Sequence, residues 1–269
     1  MRFYGLFGNP LGHSISPLVH QKIYETADVS AAYKTFEIAE DQLNLALQTM
    51  QVLDIRGANV TIPYKESFIP LLDEISPLAK RLNSVNTIKQ SQGKLTGYNT
   101  DYDGIALTFD QRNWSVKDKK VVILGSGGAS HAAAHYFNDQ GALSVSIVSR
   151  SAHKQTGQWH YLDYDELRLQ SGDILVNCTP IGMYPNVDAS PVGKEIIQSF
   201  ELIFDMTYNP VETLLLKWAN QLGKMHCNGL DMLVGQAIRS VEIWEERQFS
   251  TEEVSSILAY FRENWEGAL

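Results

Sequence analysis

The chain has 269 residues, 44% hydrophobic and 20% charged, a composition that excludes wholesale disorder. At about 150 residues per domain it makes one large domain or two smaller ones, and roughly 70–75% of the unfolded surface can be buried without a disulfide or metal staple. Lys plus Arg number 22 against 31 Asp plus Glu, a net charge of −9. That balance excludes general affinity for nucleic acid or anionic membranes, so any anionic ligand must be met by positive charge placed locally.

The first residues carry no secretory apolar run, and no stretch approaches the roughly 18 apolar residues of a membrane span. Cys178 and Cys227 are therefore expected as free thiols in a reducing cytoplasm. No CxxC pair and no H-E-x-x-H occurs, so no metal is expected.

Short apolar runs alternate with helical patterns, which reads as α/β. Residues 2–8 are predicted as a strand, followed by a Gly/Pro/Ser loop and a helix over 17–26. Ser16 is expected to cap that helix, with Pro17 in its first position. Strands over 32–38 and 55–62 flank a helix near 41–51, and 84–89 with 95–99 form a hairpin turning at Gln92-Gly93. A polar connection over 110–120 leads to a second unit. There, strands are expected at 120–124, 144–149, 173–179 and 202–205. Helices are expected at 131–140 and 214–222, the latter ending on Gly223 as an αL cap. Strands alternating with helices imply a parallel sheet covered on both faces. Two further helices carry apolar stripes, Val234-Ala237-Ile238-Val241 and Val254-Ile257-Leu258-Phe261-Trp265. Periodicity does not say which unit they cover.

Gly125-Ser126-Gly127-Gly128-Ala129-Ser130 lies between a strand and an Ala-rich helix. A dinucleotide fold needs a tight turn at its first glycine and a bare backbone near the pyrophosphate, which rests on the free amides of the helix N-terminus. The next strand ends in Ser149-Arg150-Ser151, with Lys154 close behind. A carboxylate there would repel a 2′-phosphate, whereas an arginine pairs with it. Arg150 thus favours NADP over NAD.

The first unit carries a second set of polar residues. Ser14 and Ser16 precede a helix, where hydroxyls and free amides suit a carboxylate. Asn59 and Thr61 end an apolar strand and share a face by alternation, and Lys65 follows the Pro that ends it. Asn86-Thr87 and Asn99-Thr100-Asp101 add two more Asn-Thr pairs. Ligands of open α/β sheets gather at such carboxyl ends of strands.

Over essentially its whole length the sequence resembles the shikimate dehydrogenase family. The resemblance rests on Gly8-Asn9-Pro10 with Ser14-Ile15-Ser16-Pro17, Asn59-Val60-Thr61-Ile62-Pro63-Tyr64-Lys65, Ser84-Val85-Asn86-Thr87 and Gly97-Tyr98-Asn99-Thr100-Asp101. It continues through the glycine loop, Asn177-Cys178-Thr179-Pro180-Ile181-Gly182-Met183, Asp205-Met206-Thr207-Tyr208-Asn209-Pro210, and Gly229-Leu230-Asp231-Met232-Leu233 with Gln236.

The resemblance implies NADPH-dependent reduction of 3-dehydroshikimate to shikimate and its reverse, a step toward chorismate and the aromatic amino acids. It implies a substrate-binding and catalytic domain over 1–102 plus 233–269, the last helices returning to it, and an NADP-binding Rossmann domain over 103–232. By motif, Ser14 and Ser16 hold the substrate carboxylate, with Tyr208 able to reach it. Thr61, Lys65, Asn86, Asp101 and Gln236 surround the ring hydroxyls. The cofactor is assigned Gly125, Ser126, Gly127, Gly128, Ala129, Ser149, Arg150, Ser151, Lys154, Thr179, Met206 and Gly229. The implied partners are small molecules alone, with monomer and homodimer both open. Two departures stand out: Ser149-Arg150-Ser151 replaces the family's usual Asn-Arg-Thr, and Ser130-His131 replaces an Ala-Arg or similar pair.

Lys65 is the candidate acid/base. A lysine amine is protonated at neutral pH and donates readily in the reductive direction. A neighbouring carboxylate favours that charged form, so Asp101 is assigned to orient Lys65 and the substrate hydroxyl. Two other readings are an NAD-dependent quinate/shikimate dehydrogenase and a non-catalytic sensor of shikimate or NADP. Quinate-oxidising relatives often carry an acidic residue near the ribose, where this chain has Ser149. A sensor has no need of the Lys65 and Asp101 pair.

Overall fold

The computed structural model describes residues 1–12, 14–154 and 157–265. The described residues divide into two compact units, one of Met1–Gly104 with residues 234–265, the other of Ile105–Leu233.

The first unit contains β1 (Arg2–Gly8), α1 (Ser16–Thr26), β2 (Ala31–Glu37), α2 (Leu43–Val52), β3 (Ile55–Val60), β4 (Glu74–Ile75), α3 (Pro77–Leu82), β5 (Thr87–Ser91) and β6 (Lys94–Tyr98). From there α4 (Asp101–Asp110) carries the chain onward. The sheet order is β2-β1-β3-β5-β6-β4. β1 pairs in parallel with β2 and β3, and the β5–β6 hairpin joins antiparallel to β3. Gln92 and Gly93 both adopt positive φ, 51° and 78°, the backbone that a two-residue hairpin matched to strand twist requires.

One face of this sheet packs on Leu43, Leu47 and Met50 of α2 with Phe7, Phe68 and Ile88. The other carries a buried aromatic cluster in which Tyr4 stacks on Trp244 with ring centroids 4.6 Å apart. Trp244 also donates its indole N–H to the Ile88 carbonyl at 2.9 Å. It seats against Gly57, where a Cβ would collide with the indole.

The expected cap of α1 is revised. Its first i→i−4 bond runs from Val19 N to the Ile15 carbonyl, so Ile15 is the N-cap residue. Ser16 lies inside the helix, and the Ser14 hydroxyl accepts from Ser16 N at 3.4 Å.

The second unit continues with β7 (Lys120–Leu124), α5 (Gly128–Asp139), β8 (Ser144–Val148), β9 (His160–Leu162), α6 (Tyr164–Leu167), β10 (Ile174–Asn177), α7 (Lys194–Ile197), β11 (Leu202–Asp205), α8 (Leu214–Gln221) and β12 (Met225–Cys227). α9 (Leu230–Glu245) begins in this unit and ends in the first, and α10 (Thr251–Asn264) follows. The sheet is parallel throughout, in the order β12-β11-β10-β7-β8-β9. β10 and β11 are buried at every position, as strands with both faces covered must be. Gly223, at φ 67°, follows α8 in the left-handed region.

α5 begins three residues earlier than its apolar pattern suggests, at Gly128, because the glycine loop itself forms its first turn. Neither Cys178 nor Cys227 is in a disulfide, and burial pushes the Cys227 thiol up to about 12. Among the described residues no helix is long and apolar enough to cross a membrane, and no cluster of His, Cys, Asp and Glu could hold a metal.

Candidate active site

In the first unit, Lys65 and Asp101 form an ion pair with Nζ 2.6 Å from Oδ2. The two side chains are 18% and 7% exposed, so little solvent competes for the contact. Asp101 is the first residue of α4, where the helix macrodipole favours negative charge. Asn99 organises this start: its side-chain oxygen accepts from the amides of Asp101 at 3.0 Å and Tyr102 at 3.4 Å.

Asn86 supplies the second contact to the carboxylate, Nδ2 to Asp101 Oδ1 at 2.9 Å. The orientation of its amide is dictated by the backbone. Thr100 N–H is an obligatory donor and lies 2.7 Å from Asn86 Oδ1, so the NH2 end must face Asp101. The Asp101 carboxylate is thus held from both sides by donors, with Lys65 Nζ facing the more open one.

Asn59, Thr61 and Lys65 prove to have different environments. β3 ends at Val60, so the alternation that would put Asn59 and Thr61 on one face stops between them. Asn59 is buried and takes the Tyr33 hydroxyl proton at 2.8 Å. Its NH2 group faces Asn86 O, Thr87 Oγ1 and Ser240 Oγ at 3.2, 3.0 and 2.9 Å. Thr61 is half-buried, its amide on the Phe7 carbonyl at 2.9 Å, and its methyl occupies space that a side chain at Gly8 would need.

Ser14 and Ser16 are half-buried with hydroxyls 3.2 Å apart at the start of α1. Gln236, half-buried on α9, lies 3.4 Å from the Thr100 hydroxyl. Tyr208 belongs to the second unit, where burial raises its phenol above the ordinary range.

In the second unit, the residues assigned to a dinucleotide gather at the carboxyl ends of the parallel strands. Gly125 follows β7 with φ 102°, the left-handed turn expected of the first glycine, and its amide bonds the Val148 carbonyl at 2.9 Å. Gly127 precedes α5, and an added Cβ there would meet nothing within 4 Å. α5 has neither a side-chain cap nor an acidic residue in its first turn, so its amides remain available to an anion. Ser126, Ser149 and Ser151 form a hydroxyl chain, 3.2 Å from the first to the second and 3.4 Å to the third. Arg150 and Lys154 beside them are exposed.

Thr179 follows β10, its amide and hydroxyl both on Asn177 Oδ1 at 3.0 and 2.7 Å. Asn177 in turn donates to buried Asp205 at 2.9 Å, and Asp205 also accepts from Thr207 N and the Thr213 hydroxyl. This network shapes the turn that carries Met206. Gly229 closes against it, since a Cβ there would collide with the Met206 carbonyl. A bare glycine turn, an open helix N-terminus and exposed cations fit a dinucleotide phosphate.

One residue of the first unit escaped sequence reasoning. Ser240 lies four positions after Gln236 and so shares its face of α9. That spacing is its sole sequence signal, and it is masked by the apolar stripe of Ala237, Ile238 and Val241.

Relative to chain order β7 to β12, the second sheet has the 3-2-1-4-5-6 arrangement of the doubly wound dinucleotide-binding fold. With a Lys–Asp ion pair in the other unit, the fold is that of a two-domain α/β enzyme of the nicotinamide-dependent class. Residues 6–88 match the family model described as shikimate dehydrogenase substrate binding domain. A shikimate dehydrogenase (NADP(+)) of Clostridium beijerinckii is 40% identical over 266 residues, 97% of this chain and 98% of that protein. The crystal structure of shikimate dehydrogenase 1 from Peptoclostridium difficile matches with a TM-score of 0.93 at 44% identity, covering 97% of this chain and 98% of that one. A Thermus thermophilus shikimate 5-dehydrogenase, solved in complex with NADP(H) and shikimate, matches at 0.87 and 26% identity over 100% of both chains. The chain belongs to the shikimate dehydrogenase family.

Proposed function

We propose that the protein interconverts 3-dehydroshikimate and shikimate with NADP(H), the first unit binding the carbocyclic acid and the second the dinucleotide. The observation that carries this reading is the Lys65–Asp101 pair, held in register by Asn86. The family membership and the names of the nearly full-length relatives support it.

Bound NADPH supplies the hydride. The protein supplies the rest. Ser14 and Ser16 offer hydroxyls at the start of α1 to the carboxylate of the acid. Thr61, Asn86 and Gln236 orient the ring hydroxyls. Lys65 Nζ donates a proton to the substrate oxygen as the carbonyl becomes an alcohol, and regains it from solvent. Asp101 fixes Lys65 and accepts from a ring hydroxyl. In the reverse direction, Lys65 and Asp101 share the departing hydroxyl proton.

For the dinucleotide, the amides at Gly127, Gly128 and Ala129 receive the pyrophosphate. Arg150 pairs with the 2′-phosphate, Lys154 adds charge, and Ser126, Ser149 and Ser151 offer hydroxyls near the ribose. Thr179, Met206 and Gly229 shape the nicotinamide end. These local cations and amides reconcile two anionic ligands with a chain of net charge −9. The test is NADPH consumption on addition of 3-dehydroshikimate, with NADH in a parallel arm. Turnover with NADPH is expected, and no turnover with either cofactor would refute the reading.

A further inference from the structure

Behind Asp101 the hydrogen bonds continue into the protein and converge on Ser240. Ser240, Thr87 and Thr100 are all 0% exposed, so no solvent can replace a missing partner. Ser240 Oγ lies 2.9 Å from Asn59 Nδ2, 2.9 Å from Thr87 Oγ1 and 3.3 Å from Thr100 Oγ1, and it donates to the Gln236 carbonyl at 2.9 Å. One serine of α9 therefore meets β3, β5 and the segment leading into α4.

Proton accounting gives the network a direction. The single Ser240 proton goes to Gln236 O, leaving its lone pairs to accept from Asn59 and Thr87. Asn59 cannot turn round, because its NH2 end faces the Asn86 carbonyl and its oxygen receives the Tyr33 hydroxyl. With its proton drawn to Ser240, Thr87 leaves Asn86 Oδ1, 3.1 Å away, to the amide and hydroxyl of Thr100. Asn86 then keeps its NH2 group on Asp101.

We propose that Ser240 is a positioning residue for the reaction, acting through Thr87, Thr100 and Asn86 on the Asp101 carboxylate. The inference rests on the proposed activity. Removing the hydroxyl releases the Thr87 proton to compete for Asn86 Oδ1 and moves an Asn59 donor from Ser240 onto Thr87 Oγ1. Thr100 N–H still fixes which end of the Asn86 amide faces Asp101, but Thr87 and Thr100 re-space around Asn86 Oδ1, and the shifted amide carries the Lys65–Asp101 pair out of alignment. Alignment matters most in the transition state, so kcat should respond more than KM.

The experiment is a double-mutant cycle of Ser240→Ala and Asn86→Ala, assayed with NADPH and 3-dehydroshikimate. Ser240→Ala is expected to lower kcat about tenfold, with KM and NADPH affinity within about threefold of the parent. In the Asn86→Ala background the same change should alter kcat by less than about twofold, because its route to Asp101 is already cut. Ser240→Cys, which keeps a weak donor and acceptor, should recover part of the loss, and it carries the test if the alanine variant does not fold. An unchanged kcat in Ser240→Ala, or losses that multiply in the double variant, would overturn the proposal while leaving the activity intact. A parent protein without turnover would instead overturn the functional reading, and this inference with it.

Discussion

Lys65 and Asp101, 36 positions apart in sequence, meet at 2.6 Å, with the Asp101 carboxylate also accepting a hydrogen bond from Asn86. Lys65 lies in the turns after β3, where its carbonyl accepts from Val85 N at 2.8 Å, and Asp101 opens α4. Replacing Asp101 by Asn leaves the shape but removes the charge that orients the lysine. Steady-state assays of Asp101→Asn should show kcat reduced by about 10²-fold, the usual scale for disturbing a positioned acid/base, with NADPH affinity nearly unchanged. A rise in KM with kcat unchanged would assign Asp101 to binding alone.

Arg150 is exposed at the end of β8 with no acidic residue at Ser149 or Ser151. A charge-assisted pair with a phosphate contributes about 1.5–3 kcal/mol, or roughly 10–100-fold in affinity. Arg150→Ala should raise KM for NADP by that factor and KM for NAD far less. Equal effects on the two cofactors would show that Arg150 does not contact the 2′-phosphate.

His20 gives a pH signature unrelated to catalysis. It is fully buried, stacked on Tyr33 at 4.0 Å and near Trp244 at 5.4 Å. Neither ring nitrogen makes a well-formed hydrogen bond among the described residues. Burial lowers its pKa from 6.5 to about 3, outweighing the opposing effect of the Asn59 side chain. Between those values the unfolded chain binds a proton that the folded protein refuses. Stability therefore falls as pH drops through this window, by up to about 1.4 kcal/mol per pH unit. His20→Phe keeps a ring in the slot and removes the titration. In urea denaturation, the variant should match the parent within about 1.5 kcal/mol at pH 8 and exceed it at pH 5. Parallel acid destabilisation of both proteins would assign the effect to other groups.

Gly229 packs against backbone rather than a side chain, so the Met206 carbonyl cannot swing aside for a Cβ. Gly229→Ala should cost about 1–3 kcal/mol of stability. It should also raise KM for NADPH by displacing Met206. A thermal melt and a cofactor titration that both match the parent would show that the turn relaxes freely.

Much of this was legible in the sequence because it is local chemistry. Gln92-Gly93 encodes a turn that needs positive φ twice, and Gly125 to Ala129 encodes a loop with no side chains in the way of a ligand. β9 and β12 were not legible. They have three residues each and exist because β8 and β11 offer an edge to pair with. α4 was missed because Gly104 and Thr108 dilute its helical pattern, and the Asn99 side chain that accepts from its first amides reads in sequence as a turn residue. The candidate residues Ser14, Thr61, Lys65, Asn86 and Asp101 stand out as polar types at strand and helix ends. Ser240 does not, because its role comes from α9 folding back onto β3 and β5, a long-range contact that leaves no local trace.

The most direct test of the account is the kcat of Lys65→Ala with saturating NADPH and 3-dehydroshikimate, measured beside its NADPH dissociation constant. The pairing of Lys65 with Asp101 implies a loss of at least about 10²-fold in kcat with NADPH affinity within about twofold of the parent. Near-normal turnover in that variant would remove Lys65 from the acid/base role and contradict the account.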